Sequence, residues 1–115
     1  AAPTPQMAYL KSLRGLLHLQ RREPERALPW LKAAESDFAS LMGAAHPFTR
    51  QVGLNVALAL NATGQDEEAR RIWGESEMIL RRALGPDSPA YARIAGLRRS
   101  LETAPSPAGP APLFL

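Results

Sequence analysis

At 115 residues the chain has room for one domain with a modest core. Its content of 45% apolar and 22% charged residues is that of a folded chain, and its longest apolar run, Val52 to Leu60, is broken by Gly53 and Asn55, well short of the ~20 residues that span a bilayer. Cysteine is absent, which excludes disulfide staples and thiolate metal sites, and the net charge is only +3.

The elements follow from apolar spacing and from turn residues. Pro5 opens a first helix in which Met7, Leu10, Leu13, Leu16 and Leu17 recur at helical spacing, to about Arg22. Glu23-Pro24 breaks it, and Pro24 suits the first position of a second helix. That helix presents Ala27, Trp30, Leu31, Ala34, Phe38 and Leu41 on one face and stops at Gly43, with Pro29 expected to kink its first turn. Pro47 opens a third helix with Val52, Leu54, Val56, Leu58 and Leu60, closed by Gly64. Asp66 is placed to cap a fourth, with Glu67 and Glu68 near its positive end. The fourth carries Ala69, Ile72, Trp73, Ile79, Leu80 and Leu84 and ends at Gly85-Pro86. Ser88-Pro89 starts a fifth, through Ile94 and Leu97 to about Leu101. From Thr103 the chain is Pro, Ala, Ser and Gly until Leu113-Phe114-Leu115.

An internal repeat underlies this order. At an offset of 42 residues Pro5 falls on Pro47 and Pro47 on Pro89, while Gly43 falls on Gly85, Leu16 on Leu58, Glu25 on Glu67, Ala27 on Ala69 and Glu35 on Glu77. The unit is therefore a helical hairpin, present two and a half times: residues 5–46, 47–88 and the half unit 89–101. Together they form one domain over 1–101, followed by a Pro/Ala-rich tail over 102–115. Small residues, Gly15 with Ala27 and Ala57 with Ala69, stand where two helices about 8–10 Å apart must touch. The tail reads as a linker end, with Leu113 to Leu115 as an alternative that folds back onto an open end or docks into a second molecule.

The strings HPFTRQVGLNVALALNATGQDEEARRIW and RRALGPDSPAYARIAGL resemble tetratricopeptide repeats, in the long variety of kinesin light chains and bacterial signalling proteins. Met42-Gly43-Ala44-Ala45-His46-Pro47 and Leu84-Gly85-Pro86-Asp87-Ser88-Pro89 look like the inter-repeat loop of that family. Asn55-Val56-Ala57, Gly64 and Glu68-Ala69 resemble its helix motifs. The first unit departs from the pattern, with Leu13 for the asparagine and Arg22 for the later glycine. The resemblance implies an all-α fold, a right-handed superhelical stack of antiparallel hairpins whose first helices line a concave groove. In that groove it places Tyr9, Ser12, Leu13 and Leu16, then Gln51, Leu54, Asn55 and Leu58, and finally Arg93, Gly96 and Leu97.

Asn55 is the sharpest of these, since an amide pairs with both the N–H and the C=O of an extended peptide. Arg93 suits a carboxylate. Ser12, Leu16 and Leu97 stand where the wider family's clamp for chaperone tails needs basic or amide residues, which disfavours that ligand. The resemblance points to a scaffold that binds a protein or peptide, as the regulatory part of a larger bacterial signalling protein such as a serine/threonine kinase or transcriptional regulator. Self-association through the open end or the tail is the alternative.

Nucleic-acid binding through the arginine pairs 21–22, 70–71, 81–82 and 98–99 is disfavoured, because acidic residues interleave with them. No catalytic, cofactor-binding or metal-ligating constellation is present: neither His18 nor His46 has a carboxylate and nucleophile at defensible spacing. Ala1 follows no signal-like segment, so a processed product or an excised piece of a longer chain is expected. A cytoplasmic location is expected, and absence of cysteine is equally compatible with the periplasm.

Overall fold

The computed structural model describes residues 2–101, apart from the side chain of Ser100. Among these residues there are five α-helices and no strand: α1 (Pro5–Gln20), α2 (Pro24–Met42), α3 (Pro47–Ala62), α4 (Asp66–Leu84) and α5 (Pro89–Leu97), then a 3₁₀ turn over Arg98–Leu101. The tail 102–115, and with it Leu113 to Leu115, lies outside the described residues.

The 42-residue register reappears in three dimensions. α1 and α3 each have 16 residues and α2 and α4 each have 19. Their caps repeat as well. Thr4, His46 and Ser88 stand one register apart, each accepts a hydrogen bond from a backbone N–H of its helix, and each precedes a proline. Such a cap satisfies one of the donors every helix start leaves over, and the proline fixes the first helical φ without sacrificing a bond. Gly43 and Gly85 end α2 and α4 with φ of 100° and 92°, a backbone region closed to side chains with a Cβ. Arg22, one register before Gly64 (φ 83°), holds the same left-handed turn with φ 62°.

Three expectations are corrected. α1 stops at Gln20 rather than Arg22, because the chain turns left-handed there. Asp66 is the first residue of α4, and the cap position belongs to Gln65, which makes no side-chain cap bond. α5 ends at Leu97, and Arg98–Leu101 continue as a 3₁₀ turn rather than as α-helix. Gly15 faces α2 closely, as a small residue should: a Cβ on it would stand 2.5 Å from the Leu31 side chain.

Packing follows chain order. α1 packs on α2, α2 on α3, α3 on α4, and α4 on α5 and the 3₁₀ turn, while α1 touches α3 only lightly. No extensive contact joins α1 to α4, which a closed four-helix bundle would need. α3 is the centre of the molecule. Of its residues from Thr49 to Asn61, all but Gln51 are buried, whereas α5 buries only Ile94 fully. This is the packing expected of a helical repeat, in which each hairpin is covered by its neighbours.

Candidate functional site

Two clefts grow from different junctions between hairpins, one beside the central helix and one beyond it, between α4 and α5. The first, of about 100 Å³, lies where α1, α2 and α3 meet and is lined by Tyr9, Ser12, Phe38, Phe48, Gln51, Val52 and Asn55. Its rim is aromatic and open, with Tyr9 48% and Phe48 51% exposed. Phe48 leans edge-on against Phe38 and His46, with ring centres 6.4 Å and 5.1 Å away. Asn55 lines its floor but is only 3% exposed, so the amide expected to pair with a peptide backbone is buried, as closely as the leucines beside it. Ser12 donates its hydroxyl to the Tyr9 carbonyl at 2.7 Å, so its hydrogen is spent within α1.

The cleft therefore gathers four residues named from sequence: Tyr9, Ser12, Gln51 and Asn55. Leu16, Leu54 and Leu58 are instead fully part of the core, and a side chain sealed between helices offers a ligand no surface. Leu13 is half-buried and lines the outer side of α1 beside Leu10 and Leu17. Arg93 and Gly96 are exposed on α5, and Leu97 is half-buried against the core. The long groove implied by the resemblance is thus reduced to an aromatic rim over a buried amide floor.

The second cleft is larger, about 420 Å³, and none of the groove residues expected from the resemblance lines it. It runs along α4 through Arg70, Trp73, Glu77, Met78 and Arg81 and is closed by Tyr91, Arg98 and Leu101. Glu77 organises it. Its carboxylate accepts from Trp73 Nε1 at 2.9 Å, Tyr91 Oη at 3.0 Å, and Arg98 through Nε at 2.8 Å and a terminal nitrogen at 2.6 Å. Burial works to raise the Glu77 pKa, but the hydrogen bonds from Arg98, Trp73 and Tyr91 and the charge of Arg98 outweigh it and hold the carboxyl below its ordinary value. Met78, 58% exposed, marks how thinly α5 covers α4.

One register earlier, Glu35 has the corresponding place between α2 and α3. The buried Arg50 reaches it at 3.0 Å and donates to the buried Ser76 hydroxyl of α4 at 3.2 Å. Here burial dominates and raises the Glu35 pKa, against the attraction of Arg50. Gly53 makes the space, since a Cβ on it would stand 2.7 Å from Ser76 Oγ and 2.9 Å from Glu35 Oε2. Arg50 escaped the sequence reading. Its signal was a lone cation in an apolar helix, three residues before a glycine and within reach of an aligned glutamate.

His18, given no partner by spacing, has one: its Nδ1 lies 3.0 Å from Glu23 Oε1 across the turn after α1. That bond, aided by Arg26, holds the Glu23 carboxyl below its ordinary value. His46 Nδ1 accepts from the Phe48 N–H at 3.1 Å and so serves as a helix cap. No described helix is long and apolar enough to cross a membrane. No protein-family model matches the chain, and neither the curated proteins nor the solved structures contain a match.

Proposed function

We propose that the chain is a tetratricopeptide-like scaffold that binds an extended polypeptide, gripping one aromatic or aliphatic side chain in the cleft between its first two hairpins. The observation that carries this reading is the junction itself. Tyr9 of α1 and Phe48, Gln51 and Asn55 of α3 converge from different hairpins on one small opening. A volume of about 100 Å³ suits a single side chain rather than a whole ligand. Exposed Tyr9 and Phe48 bring rigid apolar area at small entropic cost. Gln51, half-buried at the rim, supplies amide donors and acceptors for a passing backbone. The resemblance to repeats of bacterial signalling proteins supports a regulatory role within such a protein, in the cytoplasm.

Selection from a random peptide library displayed on phage tests the proposal. The parent chain is expected to enrich sequences with a recurrent apolar residue, and Tyr9→Ser with Gln51→Ala to lose them by about tenfold or more in affinity. Equal enrichment by parent and variant would remove the reading. Both positions are partly or well exposed, so folding is not at risk.

A further inference from the structure

The repeat identifies what the outer face of α1 lacks. On α1 the buried residues are Ala8, Ser12, Gly15 and Leu16, all available to its hairpin partner α2. On α3 the same register positions are Arg50, Leu54, Ala57 and Leu58, and α3 buries further residues besides, among them Thr49, Val52, Val56 and Ala59. The preceding hairpin supplies that additional cover, chiefly through α2. One register earlier these four positions are Met7, Leu10, Arg14 and Leu17, and all four are exposed: Met7 by 51%, Leu10 by 63% and Leu17 by 43%. Thus α1 leaves bare the surface that α2 covers on α3. Two shallow depressions of about 210 and 400 Å³ follow it and share Leu10 and Arg14.

Charge specifies the missing cover. Arg14 lies one register before Val56 and two before Arg98, and Arg98 pairs with Glu77 of the second helix before it. Glu35 plays the same part toward Arg50. At both junctions of this chain, a glutamate at one fixed place in the covering helix meets a cation of the covered side. α1 has no acidic residue, and its outer face carries Arg14, stacked on Trp30 at 5.0 Å, with Arg21 at its end. We propose that this face docks one amphipathic helix of a partner protein, covering α1 as α2 covers α3, with a glutamate set within its apolar stripe and turned to Arg14 as Glu77 is to Arg98. A second copy fits poorly. Two such faces opposed would set arginine against arginine, and the stripes of α2 and α4 are already engaged by α3 and by α5 with the 3₁₀ turn. A lipid surface fits poorly too, because Arg14 stands amid the apolar stripe rather than at its flank.

The test uses the whole 115-residue chain and, as probe, a fluorescein-labelled peptide copying residues 65–85, which carries Glu77. Saturable binding is expected, with a dissociation constant on the order of 10–100 µM. Leu10→Asp is expected to weaken it by about tenfold or more. Arg14→Glu should weaken it similarly, and the peptide bearing Glu77→Arg should restore it. Circular dichroism checks that both variants, changed only at exposed positions, keep the helical content of the parent. No saturation by about 1 mM, or equal affinity for Leu10→Asp, overturns the proposal. So does Leu10-dependent binding to phosphatidylserine vesicles in place of the peptide, or a concentration-dependent dimer abolished by Leu10→Asp. The Tyr9 and Gln51 cleft is untouched by these substitutions, so this face and that cleft succeed or fail separately.

Discussion

Arg50 is the residue on which the joint between the two full hairpins turns. A guanidinium almost wholly removed from water is tolerable only with its charge matched and its donors engaged: Glu35 of α2 supplies the charge and the Ser76 hydroxyl of α4 accepts a hydrogen bond. Gly53 is the condition for it. Alanine there gains about 1 kcal/mol of helix propensity. It also drives a methyl group into the Ser76 hydroxyl and the Glu35 carboxylate, an overpacking cost of about 1–3 kcal/mol. Gly53→Ala is therefore expected to lower the unfolding free energy by about 1 kcal/mol in urea titrations, with part of the loss recovered when Ser76→Ala makes room. From sequence, Gly53 is only an interruption of an apolar run. Its purpose needs two other helices to be visible.

Among the elements, α5 has the thinnest apolar attachment and leans on a titratable group. Nine residues long with one fully buried side chain, it is held to α4 largely by Glu77. The Glu77 pKa is lowered in the folded chain, so its contribution is fully present above the unfolded value and is lost as pH falls through the folded one. α5 is thus expected to loosen as pH drops below the ordinary glutamate value of 4.5, seen as faster hydrogen exchange of its amides. Glu77→Gln should abolish that pH dependence and, at neutral pH, weaken the attachment by about 1–2 kcal/mol, since Arg98 is half exposed. Glu35 shifts the other way. Its pKa is raised by burial, against the attraction of Arg50, and it sits between α2 and α3, away from α5.

At the scale of the molecule, stability is graded along the stack. Each helix gains its burial from chain neighbours, so α3, covered from both sides, has the most and the terminal helices the least. Native-state hydrogen exchange is expected to rank protection as α3 above α1, and α1 above α5. Uniform protection across all five would contradict a chain-order stack. The same gradation explains the two open surfaces, the bare side of α1 and the thinly covered side of α4. The first has no covering helix among the described residues, and the second only the short α5 and the 3₁₀ turn.

Sequence alone determined the five helices and their register. Prolines at helix starts, glycines at positive-φ stops and apolar residues at helical spacing are local signals, and a 42-residue periodicity makes each unit testify for the others. The resemblance, read through helix phase, placed Tyr9, Ser12, Gln51 and Asn55 on the inner face, and all four line the small cleft. Which residues of the inner face stay accessible was settled by packing instead. Leu16, Leu54 and Leu58 share that helix phase with the cleft residues yet are sealed in the core, since burial depends on how closely the next hairpin approaches, and phase is silent about distance. The Glu77 cleft and the Arg50 joint were hidden for the same reason. Each is assembled by side chains 14 to 26 residues apart, whose meeting is fixed by packing rather than by any local pattern.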